Sequence, residues 1–319
     1  MPSNKRYFIG IDGGGTKTEL VLGDETGKVI LSKTGESTNL KSRSESKVRD
    51  TVHQLLQSIP GSIAHIFVAA AGGDRSQDKQ RWEQWIREII GEDPEVTVEN
   101  DAIAALAGTT FTKEGSVLIA GTGSILYTFQ PGKKPSRTGG WGYLFGDEGS
   151  GFDIGCHGLQ AVMQAYDGRR RQTNLTGRFL ERFGLVEPEQ LITFIYEHDY
   201  PRLAIASLAN EVIKAASEGD PAADEIVHNA TTALLQLIAA QMEKREKLSP
   251  IVLAGGVFQS DYFTGRFIER SQARFQNGME FLPAAMPPAV GAYGCALLDF
   301  GISVTDTTVI SIKESYRKV

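Results

Sequence analysis

The sequence predicts an α/β protein made of two copies of one unit, each a mixed β-sheet flanked by helices. Three observations indicate this class. The chain has 319 residues, which is long for a single hydrophobic core and suggests two domains of ordinary size. Apolar segments of strand length alternate with amphipathic helical patterns. A pair of strands joined by a Gly/Thr-rich loop occurs near residue 13 and again near residue 121.

The first copy is predicted to start with three strands. Residues 6–12 form an apolar run, and the alternation over residues 17–22 has the period of a second strand. The turn Asp24-Glu25-Thr26-Gly27 leads into a third strand near Val29. The next patterns predict a helix, a strand, a helix, a strand and a helix, at residues 48–59, 63–71, 82–90, 95–99 and 102–107. The tryptophans of the second helix, Trp82 and Trp85, are expected in the core.

The second copy is predicted to carry a helical insertion. Strands at 116–120 and 125–129 flank its Gly/Thr loop, and residues 151–247 have mainly helical patterns. The remaining predicted elements are a strand and two helices, at 251–254, 258–275 and 289–300. The predicted domains are therefore 1–114 and 115–319, with a cleft between two sheets as the expected ligand site.

Composition argues against several classes of function. The net charge is −6, so a nucleic-acid-binding surface is not expected. Cys156 and Cys295 are the only cysteines, and they cannot form a C-x-x-C metal box and suit a reducing compartment. The sequence contains neither an apolar run of about 18 residues nor an apolar signal-like start, which predicts a cytoplasmic protein that does not cross a membrane.

The first Gly/Thr loop joins two strands, whereas a Walker loop runs from a strand into a helix. Its glycines would let backbone N–H groups approach phosphate oxygens, a threonine adds a hydroxyl and a lysine adds charge. These candidate residues are Gly13, Gly14, Gly15, Thr16 and Lys17. Asp12, at the end of the strand, is placed to hold Mg²⁺ through water. At this loop alone, a simple glycine-rich turn is an equally supported interpretation.

Two further glycine-rich segments favour phosphate binding. Gly121-Thr122-Gly123-Ser124 repeats the strand–loop–strand arrangement, so two hairpins could hold the β- and γ-phosphates from both sides. Ala254-Gly255-Gly256-Val257-Phe258 follows a strand and precedes a helix, and its glycines would let an adenine or ribose lie close to the backbone. One such loop is a weak signal, whereas three in this order are a strong one.

These motifs resemble those of the sugar-kinase/Hsp70/actin ATPase superfamily, and within it the N-acetylglucosamine kinase and BadF/BadG/BcrA/BcrD ATPase family. The similarity covers nearly the whole chain, and its most specific stretch is residues 139–150, GGWGYLFGDEGS. The resemblance implies two RNase H-like (actin-like ATPase) domains with an interdomain cleft and a helical insertion in the second. It also implies ATP and Mg²⁺ as cofactors, an amino sugar as substrate and, from the family alone, a homodimer.

Asp101 is the candidate catalytic base. Phosphoryl transfer to a hydroxyl needs a base near the attacking oxygen, and Asp101 follows a predicted strand at the start of a helix, where a carboxylate is favoured. From position alone, helix capping is the better supported role. The family resemblance implies that Asp101 accepts the proton of the sugar 6-hydroxyl.

Residues 139–150 contain too many glycines for a helix and too many specific polar groups for a spacer. Trp141 can cover the apolar face of a sugar ring, and Asp147 can accept hydrogens from two hydroxyls. An ordered loop anchored by Trp141 is the alternative. The resemblance implies sugar contacts at Asn39, Asp101, Ser124, Gly140, Trp141 and Asp147. It implies nucleotide contacts at Thr16, Thr122, Gly123, Gly255, Gly256 and Ser260.

One departure and two rival functions limit this interpretation. Ile125 follows the Gly-Thr-Gly-Ser loop, where some related kinases carry a polar residue. The expected activity is transfer of the γ-phosphate to O6 of N-acetylglucosamine, with glucosamine and N-acetylmuramic acid as alternatives. A BadF-type ATPase without a sugar substrate would need cluster-ligating cysteines, which this chain lacks unless Cys156 or Cys295 is suitably placed at a dimer interface. A nucleotide-dependent scaffold would need neither Asp101 nor the 139–150 segment.

Overall fold

The structure is a computed structural model that describes residues 5–15, 17–40, 43–59, 61–71, 76–244, 248, 250–276 and 278–319. The chain divides into two compact units. Unit 1 comprises Met1–Glu114, Phe129–Pro131 and Ala284–Val319. Unit 2 comprises Gly115–Thr128 and Gly132–Pro283. Among the described residues, no helix combines the length and the apolar character that a membrane span requires.

Each unit contains a five-stranded sheet. The first has the order β3-β2-β1-β4-β5, with β1 (Arg6–Gly13), β2 (Lys17–Asp24), β3 (Val29–Glu36), β4 (Ser62–Ala70) and β5 (Glu95–Asn100). The second has the order β10-β9-β6-β7-β8, with β6 (Gly115–Ala120), β7 (Ser124–Phe129), β8 (Ser136–Gly139), β9 (Ile251–Ala254) and β10 (Phe281–Pro283). Two mixed sheets flanked by helices confirm the predicted fold class.

The helices cover the sheets and form the insertion. In chain order they are α1 (Glu45–Leu56), α2 (Ser76–Ile90), α3 (Asp101–Thr110), α4 (Gly151–Tyr166), α5 (Leu175–Phe183), α6 (Gln190–Tyr196), α7 (Pro201–Ser207), α8 (Ala209–Ser217), α9 (Pro221–Glu243), α10 (Asp261–Phe275), α11 (Pro288–Asp299) and α12 (Asp306–Tyr316). Helices α4 to α9 lie within the stretch predicted to be helical. Trp82 and Trp85 are buried in the core of unit 1, as expected.

Strand pairing brings the carboxyl ends of three parallel strands to one edge of the first sheet. Gly13 of β1 pairs with Ala70 of β4, and Ala70 pairs with Asn100 of β5. Asp12 therefore lies at the same edge as the residue that follows β5, Asp101. In the antiparallel direction Asp12 is directly opposite Glu19 of β2, and directly opposite residues share one face of a sheet.

Helix α11 packs at backbone distance against β1 and α3. A Cβ added to Gly10 of β1 would lie 2.0 Å from the backbone nitrogen of Tyr293. A Cβ added to Gly291 would lie 2.0 Å from the carbonyl oxygen of Ala104. No side chain fits at either position, so glycine is required there.

This packing places Ala284–Val319 in unit 1, whereas the predicted division put residues 115–319 together in the second domain. The Tyr293 hydroxyl adds a hydrogen bond to the carbonyl oxygen of Asp24 (2.6 Å). The physical reason for the difference is that α11 packs through glycines against β1 and α3, which are far from it in the sequence. No local sequence pattern reveals this contact.

A pair of glycines in α11 tests this packing. We expect Gly291→Ala to lower the free energy of unfolding by about 1–3 kcal/mol or more, because the new methyl group overlaps the α3 backbone. Gly294→Ala is the matched control, since its Cβ would lie 3.5 Å from the Phe111 ring, an ordinary contact. Denaturant unfolding should show Gly294→Ala as stable as the parent or more so. Equal loss in both variants would contradict this account.

Candidate active site

The turn between β1 and β2 is anchored from several sides. The Gly14 N–H donates to the Lys17 carbonyl (3.1 Å), and the Ser37 hydroxyl donates to the Gly14 carbonyl (3.1 Å). A Cβ on Gly13 would lie 2.9 Å from the Thr38 hydroxyl oxygen. Gly13 and Gly14 are therefore held by neighbouring backbone and side-chain groups. Thr16, predicted as a phosphate contact, lies outside the described residues.

Asn39, predicted as a sugar contact, lies beside this turn. Its side-chain nitrogen is 3.7 Å from the position of a Cβ on Gly15. The Asn39 backbone N–H donates to the Ser37 hydroxyl (3.2 Å), which in turn donates to Gly14. The structure thus brings Asn39 and the three glycines together within unit 1.

Asp12 lies in an electrostatically unfavourable place for an isolated carboxylate. Burial, and next the negative charges of Asp101 and Glu19, raise the pKa of Asp12 to about 7, while Lys17 opposes this shift. A divalent cation would reverse it, because a nearby positive charge favours the ionised form. The residues thus fit a Mg²⁺ site with Asp12 as a donor.

One carboxylate such as Asp12 can serve Mg²⁺ when the other ligands of the ion are water and phosphate oxygens. Among the described residues, no group of three or more His, Cys, Asp or Glu side chains could hold a metal ion. Mg²⁺ commonly keeps several waters and binds one or two carboxylates together with substrate phosphates. Asp12 beside a glycine turn has this character.

The N-cap of α3 is Asn100 and not Asp101, for which helix capping was the alternative role. The side-chain oxygen of Asn100 accepts from the Ala102 N–H (3.0 Å), and Asn100 is the N-cap of α3. Asp101 is the first helical residue and is only partly buried. Its carboxylate therefore lies at the positive end of the helix without serving as the N-cap.

In unit 2 the second Gly/Thr loop is tied to the segment 139–150. The Gly121 N–H donates to the Gly123 carbonyl (2.9 Å), and the Gly151 N–H at the start of α4 donates to the Gly121 carbonyl (2.7 Å). The Ser124 hydroxyl donates to the Glu148 carbonyl (2.7 Å). Thr122 lies in the middle of this loop and is partly exposed.

Asp147 is buried, and a residue that sequence analysis missed provides its counter-charge. Arg202, on α7, places its Nη2 3.0 Å from Asp147 Oδ2. A Cβ on Gly123 would lie 2.7 Å from the same oxygen, so this glycine admits the carboxylate. Burial raises the pKa of Asp147, and the Arg202 charge and the backbone N–H groups of Ser124 and Gly142 oppose the rise.

Arg202 lies in the insertion with no motif around it. The sequence contains only an indirect signal for such a residue. A buried carboxylate such as Asp147 needs a cationic or N–H partner, but the sequence does not say which residue provides it. The guanidinium also lies over the Tyr143 ring, 5.0 Å from its centroid. Arg202 therefore joins residues 143 and 147 of the segment to α7.

Trp141 does not anchor the loop in the core, because 61% of its surface is exposed. The Arg137 guanidinium lies 4.4 Å from the centroid of the indole ring, and its Nη1 donates to the Gly140 carbonyl (3.2 Å). Gly140 has a φ of +70°, and its Cβ would overlap the Ile125 side chain at 2.2 Å. Ile125, the departure from the family pattern, thus contacts the backbone of Gly140.

The third glycine segment borders a cavity in unit 2. Gly255 has a φ of +96°, and its Cβ would lie 2.4 Å from the Ala120 carbonyl oxygen. The Ser260 hydroxyl caps α10 by accepting from the Phe263 N–H (3.3 Å). A cavity of about 380 Å³ is lined by Asn210, Ile213, Lys214, Ser217, Gly256, Gln259, Ser260 and Tyr262. Two predicted nucleotide contacts, Gly256 and Ser260, are thus brought to one concave site.

Two sheet units, each with a strand–glycine loop–strand hairpin, define a protein of the sugar-kinase and actin-like ATPase class. The sequence model of the BadF/BadG/BcrA/BcrD ATPase family matches residues 9–298. The chain belongs to this family, and the resemblance drawn from its motifs is confirmed.

Three relatives illustrate the similarity. An N-acetylmuramic acid/N-acetylglucosamine kinase of Clostridium acetobutylicum is 34% identical over 80% of this chain and 86% of its own length. An N-acetyl-D-glucosamine kinase of Dictyostelium discoideum is 31% identical over 92% of this chain and 98% of its own length. A crystal structure of a candidate N-acetylglucosamine kinase from Chromobacterium violaceum superposes with a TM-score of 0.68 at 26% identity, covering 92% of this chain and 99% of that one.

Burial of Asp147 makes stability depend on pH, and the Arg202 charge limits this dependence. The pKa of Asp147 is raised in the folded state. The free energy of unfolding therefore decreases as the pH rises above about 4, the pKa of an aspartate in the unfolded chain. Arg202→Gln removes the opposing charge, so the pKa of Asp147 should rise further. We expect the free energy of unfolding to fall more steeply with pH in this variant.

Urea unfolding between pH of about 4 and about 8 measures the difference between Arg202→Gln and the parent. Arg170→Gln is a suitable control, because Arg170 pairs with the exposed Glu225 instead, and exposed pairs contribute little. Parallel pH curves for Arg202→Gln and the parent would contradict the interaction.

Proposed function

We propose that the protein is an ATP-dependent kinase that transfers the γ-phosphate of ATP to the 6-hydroxyl of N-acetylglucosamine. The observation that carries this proposal is the shared sheet edge of Asp12 and Asp101, with Asn100 as the helix cap. One strand, β4, lies between β1 and β5, so the two strand ends are about 10 Å apart. A metal-bound triphosphate and an acceptor hydroxyl can span this distance.

The names of the relatives support the substrate class. The Clostridium and Dictyostelium relatives are both named as kinases of N-acetylglucosamine, and the first also of N-acetylmuramic acid. N-acetylmuramic acid and glucosamine stay as alternative acceptors. A homodimer and a cytoplasmic location stay predictions.

The residues divide the chemical work as follows. The backbone N–H groups of the two glycine loops would bind phosphate oxygens. Mg²⁺, when bound near Asp12, supplies charge neutralisation around the phosphates. Asp101 would accept the proton of the attacking hydroxyl, at a helix end that favours its carboxylate form. In unit 2, Asp147 would accept hydrogen bonds from sugar hydroxyls while Trp141 covers the apolar ring face.

The cysteines do not favour a BadF-type ATPase with a cysteine-ligated cluster. Cys295 is buried and Cys156 partly buried, and they lie in different units. Burial raises the pKa of Cys156 to about 11 and also raises the pKa of Cys295. Thiolates are the ligand form, so neither side chain is prepared to hold a cluster.

Replacement of the base separates chemistry from binding. We expect Asp101→Asn to lower kcat by about 10²–10⁴, because an amide cannot accept the hydroxyl proton, while ATP and sugar affinities change little. Asn100→Ser is the control, since serine also caps a helix and Asp101 remains. Steady-state kinetics and calorimetric binding measure both effects. Turnover of Asp101→Asn within a few-fold of the parent would refute the assignment.

The acceptor is identified by an ATP-consumption assay with a panel of amino sugars and plain hexoses. We expect turnover to depend on the sugar and to be highest with N-acetylglucosamine, with a 6-phosphorylated product. A 6-deoxy analogue is the control, because it lacks the attacking oxygen. Equal ATP hydrolysis with and without sugar would instead favour an ATPase.

A further inference from the structure

Glu19 is a buried carboxylate whose two oxygens have different partners. It lies on β2 directly opposite Asp12. Its Oε2 is 3.1 Å from the ammonium nitrogen of Lys17, the first residue of β2 after the first glycine loop. Its Oε1 accepts a hydrogen bond of 2.7 Å from the hydroxyl of Tyr316, at the end of the C-terminal helix α12. One side chain thus connects the last helix of the chain to the first glycine loop.

Helix α12 is packed firmly enough to fix this contact. Ile312 is fully buried, and the Ser315 hydroxyl oxygen accepts from the Val29 N–H of β3 (2.8 Å). A Cβ on Gly27 would lie 2.7 Å from the Thr308 carbonyl oxygen, so the helix touches the β2–β3 turn at backbone distance. Tyr316 is therefore presented by a rigid element.

The Tyr316 hydroxyl is suited to act as a donor. Burial, and next the hydrogen bond with Glu19, raise the pKa of Tyr316 to about 12. The phenol stays neutral at ordinary pH and donates its hydrogen to the carboxylate. Hydrogen bonds to charged acceptors are stronger than those between neutral groups, so this bond favours one orientation of Glu19.

The orientation of Glu19 decides where the Lys17 ammonium lies. The Lys17 side chain is 61% exposed, and an exposed lysine without a partner loses rotamer entropy when a ligand orders it. The contact with Glu19 uses one of three ammonium hydrogens, which leaves two for an anion. An ordered Lys17 beside Gly13 to Gly15 would therefore bind a polyphosphate at lower entropic cost.

We propose that Tyr316 is a positioning residue for the nucleotide: it holds Glu19, and Glu19 orients the Lys17 ammonium toward the phosphates at the first glycine loop. This inference rests on the proposed role of Lys17 in ATP binding. It assigns a function to helix α12, whose Tyr316 lies 297 residues from Glu19 along the chain.

The test uses the full chain and two measurements. The first is the affinity for a non-hydrolysable ATP analogue by calorimetry, and the second is the KM for ATP and for the sugar. We expect Tyr316→Phe, which keeps the ring, to weaken analogue binding and raise the KM for ATP by about 3–10-fold. The KM for the sugar and kcat should stay within twofold.

A double-mutant cycle distinguishes positioning from general support of the fold. Lys17→Met should weaken analogue binding by itself, and Tyr316→Phe should add no further loss in that background. Ser315→Ala is the matched control, because it removes one hydrogen bond between α12 and Val29 of β3 but leaves the buried Ile312, the Gly27 contact and the Glu19 contact in place. Ser315→Ala should bind the analogue as tightly as the parent.

Three results would overturn the proposal. They are unchanged analogue affinity in Tyr316→Phe, losses that add fully in the double variant, and an equal loss in Ser315→Ala. These outcomes differ from failure of the proposed function, in which the parent would bind the analogue but phosphorylate no sugar. In that case the calorimetric cycle still decides the role of Tyr316.

Discussion

The close backbone contact of α11 with β1 and α3 is the constraint on which the other features of unit 1 depend. At Gly10 and Gly291 the contact leaves no room for a methyl group, so the two helices and the central strand can meet only through glycine. The contact fastens the C-terminal segment to the first sheet and positions α12 on the edge strand β3.

The same sheet edge concentrates negative charge, and this charge is the physical basis for the proposed cation site. Asp12, Glu19 and Asp101 lie close enough for the pKa of Asp12 to rise to about 7. Lys17 compensates in part, and its own orientation depends on Glu19. A magnesium ion would supply the remaining positive charge. The repulsion among these carboxylates would therefore favour binding of a metal-bound polyphosphate.

In unit 2, groups of the protein itself compensate a buried negative charge. Asp147 is buried, and Arg202 and two backbone N–H groups compensate its charge. The pair joins the 139–150 segment to the helical insertion, while Trp141 remains largely exposed. An ordered carboxylate beside an exposed aromatic face suits the proposed sugar contacts, since hydroxyls need fixed acceptors and ring faces need an apolar surface.

Eight of the ten described strands, the glycine loops and the fold class could be predicted from the residues alone, because side-chain periodicity and glycine-rich turns act over a few neighbouring residues. The short strands β8 and β10 were not predicted, and the choice of Asp101 as candidate base needed the family resemblance. The tertiary structure decided that Asn100 rather than Asp101 caps α3, that residues 284–319 join unit 1, and that Arg202 and Tyr316 reach Asp147 and Glu19. The Asn100 cap is a local bond to the Ala102 N–H, and the residue pattern alone did not distinguish it from a cap by Asp101. The other outcomes depend on which backbones can approach each other and which charges need compensation, and both are settled only when distant segments pack together.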